Sequence, residues 1–128
     1  MAYLLDTHTL LWLLDDETSI PSATLSQLKN PANALYVSSA SIWEIAIKRS
    51  LGKLTLNRPT QALIDELPRV GITLLPVLSS HILQVETLPF HHKDPFDRII
   101  IAQALVENWS VVSRDTNFPL YPVQVLWT

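Results

Sequence analysis

Apolar residues in this chain fall in short runs, separated by stretches whose spacing is helical. Residues 2–5 are apolar and stop at Asp6, which reads as a buried first strand. Leu10, Leu11, Leu13 and Leu14 follow at the helical period and predict a helix over 7–15. Pro21 opens a second helix to about Asn30, which Pro31 ends. Residues 35–37 make a short strand, and Ser39 or Ser41 caps a helix through Lys48 that ends near Gly52. Pro59 starts another helix through Leu67, closed by Pro68 and Gly71. Residues 72–75 form a strand, and 79–88 are weakly helical. Asp94-Pro95 opens a helix to about Glu107, followed by a buried strand over 111–113 and a last strand over 123–127. Strands alternating with helices predict an α/β fold, three layers α/β/α with a mainly parallel central sheet. No repeat or linker interrupts it, so residues 1–128 are read as one domain.

In an open parallel sheet, ligands gather beyond the carboxyl ends of the strands. Asp6 ends the first strand, and Asp115 lies just past the 111–113 strand. Glu44 is in the helix after the second strand, and Asp97 is in the first turn of the helix feeding the 111–113 strand. All four point to one rim. Each also has an ordinary structural explanation. Asp6 would cap the helix at Thr7, and Asp115 the turn at Thr116-Asn117. Glu44 has capping-box spacing from Ser41 and ion-pair spacing to Lys48. Asp97 sits where a helix dipole welcomes an anion. Asp94 precedes Pro95 and is therefore the N-cap, a support beside the site that leaves Asp97 as the site residue.

Clustered carboxylates repel, and burial pushes their pKa values up, so such a group is stable only around cations. All-oxygen donors select hard ions, Mg²⁺ or Mn²⁺. Those ions acidify water and shield charge on a phosphodiester, which points to phosphoryl transfer to water. Composition narrows the choice further. The net charge of -3 argues against a protein that coats nucleic acid by charge alone, but not against a metal nuclease. The absence of cysteine excludes disulfides, thiolate zinc sites and cysteine nucleophiles. His8, His81, His91 and His92 have no zinc-site spacing and read as surface or loop histidines, His8 lying closest to the rim. Two glycines do not make a phosphate loop. The apolar start is too short for a signal or a membrane span, so a cytoplasmic protein with no membrane partner is expected.

Four segments, YLLDTHTLLWLL, VSSASIWEIAIKRSLGKL, LPFHHKDPFDRIIIAQALVENWSVVSRD and YPVQVLW, carry these acids in order over almost the whole chain. Together they resemble PIN domains, specifically VapC-type toxins of bacterial toxin–antitoxin pairs. The resemblance implies a PIN-like fold and a metal-dependent endoribonuclease that cuts structured RNA such as transfer RNA. It makes Asp6, Glu44, Asp97 and Asp115 the metal ligands and catalytic acids, and favours Asp97 over Asp94. Ser113, in a place where the family often has Thr or Ser, would orient a ligand or water from behind. His8 departs from the Asn of many relatives. A homodimer and a cognate antitoxin are implied as partners.

Lys48, Arg49, Lys53, Lys93, Arg98 and Arg114 are six of the nine basic residues and lie beside the acidic segments, so they are expected to line an RNA path. The helix over 7–15 carries five large apolar residues in succession, more than one face can bury, so Leu10 and Trp12, with Trp43, are expected to meet a partner chain. Other readings compete. A haloacid-dehalogenase-type phosphatase needs an Asp where His8 stands, and a DNA nuclease of a related fold needs extra helical elements. A catalytically silent RNA- or protein-binding module of the same fold differs only in cleavage.

Overall fold

The computed structural model describes residues 1–128 and is built on a five-stranded parallel sheet. The strands are β1 (Ala2–Leu5), β2 (Ala34–Ser38), β3 (Ile72–Leu75), β4 (Ser110–Val112) and β5 (Val125–Leu126). They lie in the order β3-β2-β1-β4-β5, with every pairing parallel. Six helices connect them: α1 (Thr7–Asp15), α2 (Ser22–Lys29), α3 (Ser39–Ser50), α4 (Thr60–Arg69), α5 (Ser79–Thr87) and α6 (Pro95–Glu107). Short 3₁₀ turns at Glu17–Ser19 and Phe118–Leu120 complete the chain. This is the three-layer α/β/α arrangement with a parallel sheet that the alternating pattern predicts.

Side chains alternate across a strand, so each central strand feeds two cores. Tyr3, Leu5, Leu35, Val37 and Val112 pack with Leu10, Leu28, Ile45, Leu63 and Leu67 from α1–α4. On the other face Leu4 and Val111 pack with Ile100, Ile101 and Ala104 of α6, with Leu88, Phe118 and Tyr121 beside them. Strands buried on both faces need apolar residues at consecutive positions, which is why Tyr3-Leu4-Leu5 and Val111-Val112 do not alternate with polar ones.

Several boundaries move for physical reasons. Ser38, not Ser39 or Ser41, caps α3, its Oγ accepting from Ala40 N at 3.0 Å. Pro68 does not close α4; it sits in the last turn, and the helix runs one residue further. Near a C-terminus the missing N–H of proline removes one bond without breaking the helix before it. Gly71, at φ +78, then makes the left-handed step into β3. The last strand shrinks to Val125–Leu126 because only these residues meet Val111 and Val112 in register.

The first helix corrects one expectation. Leu10 has no exposed surface and belongs to the core, so it is not available to a partner. Leu11, Trp12, Leu13 and Leu14 are half-buried and pack against the same core. Trp12 rests between His8 and Trp127, with both ring centroids 5.8 Å away. The C-terminal Trp127 thus covers part of the apolar run, and Leu54 and Leu56 pack on the same core. Trp43, in contrast, is 63% exposed, with Phe96 against its edge. No helix is long and apolar enough to cross a membrane.

Candidate active site

The carboxyl ends of β1, β2 and β4 lie at one rim, and four acids stand near it, three of them within electrostatic reach of the fourth, Asp97. Asp6 follows β1 directly and is 5% exposed. Its two oxygens have separate tasks. Oδ1 accepts from Thr9 N at 2.8 Å, as the N-cap of α1, and Oδ2 accepts from Ser113 Oγ at 2.5 Å. The cap of α1 and the tie to the end of β4 are therefore combined in one side chain. Burial raises the Asp6 pKa, and the Ser113 and Thr9 hydrogen bonds oppose the rise.

Ser113 is buried at the end of β4 and links two of the acids. Its hydroxyl donates to Asp6 and accepts from Asp115 N at 3.0 Å. Asp115 Oδ1 in turn accepts from Asn117 N and Nδ2 at 2.8 and 3.0 Å, closing the turn after β4.

Glu44 lies on the buried side of α3 and is 4% exposed. Its spacing from Ser41 does not make a capping box, because the helix starts earlier. Both residues turn instead to Thr7. The Thr7 hydroxyl donates to Glu44 Oε1 at 2.6 Å and lies 3.0 Å from Ser41 Oγ. Lys48, one turn on, donates to Glu44 Oε2 at 2.5 Å, and that bond raises the Lys48 pKa.

Asp97 is half-buried in the first turn of α6. Burial is the main cause that pushes its pKa up to about 8, and the carboxylates of Asp94, Asp115, Asp6 and Glu44 add to it. That mutual influence puts the four acids in one electrostatic neighbourhood. Asp94 is the N-cap of α6, accepting from Phe96 N at 2.9 Å and Asp97 N at 3.0 Å. Asp94→Ala is expected to lower stability by about 1 kcal/mol and Asp94→Asn hardly at all, read from urea midpoints.

No three carboxylate or imidazole groups stand close enough to one point to close a metal shell as they are placed. The donors are nevertheless all oxygen, and Asp97 carries the repulsion that a cation relieves. The residues fit a hard divalent ion in kind. Lys48 holds the place of a counter-charge to Glu44.

The rim opens as a shallow depression of about 390 Å³ lined by Asp6, His8, Trp12, Arg114, Asp115 and Thr116. Three larger hollows lie elsewhere, one at the amino ends of β2 and β3 among Leu28, Leu35, Val70 and Gly71, and one beside Trp43 and Phe96, and none is lined by the four acids. Of the basic residues, Arg114, Lys53 and Lys93 are exposed, and Lys48 is half-buried on Glu44. Arg49 is tied to Arg58 O at 2.5 Å. Arg98 is a correction: it is 4% exposed and donates to Leu88 O, Pro89 O and Tyr121 Oη, so its charge is not on the surface.

Residue spacing did not reveal Thr7 or His92. Thr7 immediately follows Asp6, and only the fold brings it to Glu44, 37 residues away. His92 Nε2 lies 3.3 Å from Asp97 Oδ2. His81 is not a surface residue either; it is fully buried, accepting from Leu78 N at 3.0 Å and facing Glu107 Oε1 at 3.2 Å.

The family model of the PIN domain matches residues 3–123. No curated protein sequence matches the chain. Among solved structures, it is similar to VapBC2 from Rickettsia felis bound to a DNA fragment from their promoter, with a TM-score of 0.73 and 18% identity over 100% of both chains. DNA-bound VapBC from Salmonella typhimurium gives a TM-score of 0.71 and 15% identity, over 98% of this chain and 97% of that one. VapBC-1 from nontypeable Haemophilus influenzae gives 0.69 and 18%, over 98% and 97%. At these identities the likeness is one of fold.

Proposed function

The chain belongs to the PIN-domain family, whose members are nucleases, and on that premise we propose that residues 1–128 act as one metal-dependent endoribonuclease domain. We further propose that it is the toxin of a VapBC-like toxin–antitoxin pair, working in the cytoplasm on structured RNA. The observation that carries the reading is the meeting of Asp6, Glu44, Asp97 and Asp115 at one end of the sheet, close enough that three of them raise the pKa of the fourth. These four would hold Mg²⁺ or Mn²⁺. When bound, such an ion supplies an acidified water and shields the charge that develops on the phosphodiester.

The chain's own residues have distinct parts in this reading. Ser113 keeps Asp6 and the Asp115 backbone in register, and Thr7 holds Glu44 toward the rim. Lys48 neutralises Glu44 and lies close enough to Asp94 and Asp97 to feel their charge, which puts a cation where a phosphate would arrive. Arg114, Lys53 and Lys93 extend the positive surface that RNA would follow. Replacing Lys53 and Arg114 by Ala is expected to reduce the slope of log binding constant against log salt by about 1.4, at about 0.7 per contact to single-stranded RNA. An unchanged slope puts both residues outside the RNA path.

The similar structures that contain VapBC complexes support an antitoxin as partner. A partner chain, antitoxin or second protomer, has exposed apolar surface to meet at Trp43 and the half-exposed face of Trp12. The test of the function is direct. Purified protein is expected to cut RNA with Mn²⁺ present and not in chelator, and Asp6→Asn to cut at neither condition. RNA binding without cleavage in the wild type, with Mn²⁺ present, would turn the assignment to a silent binding module.

A further inference from the structure

We propose that His92 is a positioning residue for Asp97, and that Tyr121 locks its imidazole in the tautomer that does this. The inference rests on Asp97 being a metal-site acid. Tyr121 Oη receives Arg98 Nη1 at 3.0 Å and the backbone N of His92 at 3.3 Å. Neither group can accept a hydrogen bond. The two donors use the lone pairs of the phenol oxygen, and its own proton has to go elsewhere. The remaining neighbour is His92 Nδ1, at 2.8 Å. Nδ1 is therefore the acceptor, and the ring proton resides on Nε2. Nε2–H faces Asp97 Oδ2 at 3.3 Å and donates to it. The chain runs in one direction, from Arg98 through Tyr121 and His92 to the carboxylate.

The surroundings make this arrangement rigid. Arg98 is buried and also donates to Leu88 O and Pro89 O, so the loop before α6 is anchored to the helix that carries Asp97. Tyr121 is 3% exposed. His92 and Asp97 have side chains 11% and 19% exposed, which keeps water from replacing the bond freely. One carboxylate oxygen is thus held from behind. Outer groups of this kind fix the orientation of a ligand and tune its basicity, and their loss typically costs 10- to 100-fold in metal affinity.

Two measurements on the full chain test this. In a two-bond ¹⁵N–¹H spectrum of ¹⁵N-histidine-labelled protein, His92 is expected in the Nε2–H tautomer, and Tyr121→Phe, which keeps the packing, is expected to shift the Nδ1 resonance as the hydrogen bond it accepts is lost. In calorimetric titrations with Mn²⁺ alone, His92→Ala is expected to weaken binding about tenfold or more. Tyr121→Phe should weaken it in the same direction, and His92→Gln should restore part of it, since its amide N–H reaches the place of Nε2. An Nδ1–H tautomer in the wild type overturns the proposal. So does wild-type Mn²⁺ affinity in both His92→Ala and Tyr121→Phe while Asp97→Asn has lost it, a result that leaves the metal site standing. Wild-type affinity in Asp97→Asn instead removes the metal site and the positioning role together.

Discussion

Asn in place of Asp97 is expected to slow RNA cleavage by about a hundredfold or more, and Asn in place of Asp94 to leave it within about fivefold of wild type. The two residues are a turn apart on one helix and carry the same side chain, so the comparison isolates position from chemistry. Asp94 spends its carboxylate on Phe96 N and Asp97 N, and Asn caps a helix nearly as well as Asp. The Asp97 side chain accepts only from His92, and apart from the more distant attraction of Lys48 it faces the repulsion of neighbouring acids that a cation would relieve. Asn cannot supply the negative charge that an ion needs there. Single-turnover rates at saturating Mn²⁺ decide the matter, with circular dichroism as a check on folding. A dead Asp94→Asn beside an active Asp97→Asn would mean that cap and ligand had been exchanged.

The cap itself is legible in the sequence, because Pro95 fixes where the helix begins and hence makes Asp94 its cap. The sheet was readable for a similar reason. Doubly buried strands must be continuously apolar, and 2–5 and 111–112 have few other uses in a chain this short. What periodicity does not encode is which polar atoms meet across the sheet. Ser41 and Glu44 have the spacing of a capping box, yet Ser38 takes the cap and frees both for Thr7. Arg98 sits among site residues in sequence, but a helix turns about 100° per residue. The residue after Asp97 therefore faces away, into Leu88, Pro89 and Tyr121. By its spacing the run at 10–14 carries a surplus that calls for a second chain. Trp127, more than a hundred residues on, covers part of it, and no local pattern predicts that contact.

Removing metal should make the protein less stable as pH rises from about 4 to 8, and Asp97→Asn should abolish most of that loss. Asp97 has its pKa raised from 3.8 to about 8 in the folded chain. Between those values the folded state keeps a proton that the unfolded state has released, so stability falls with increasing pH. Asp6 is also raised and acts in the same sense. Asp16 is lowered by its bonds to Thr18 and Ser19, so its contribution is lost only as pH falls below 3.8, outside this window. Linkage puts a ceiling of about 5 kcal/mol on the Asp97 effect at pH 8, and cations from the buffer entering the site reduce it. In chelator at pH 8, Asp97→Asn is expected to melt at least ~4 °C above wild type, with the gap closing toward pH 4. Mn²⁺ at about a hundred times its Kd is expected to stabilise the wild type by about 2.7 kcal/mol and the variant far less, so that the order of the two melting temperatures narrows or reverses. Melting temperatures that stay level from pH 4 to 8 in chelator, with no gap between the two proteins, would mean that Asp97 is not held against a charge it needs a cation to bear.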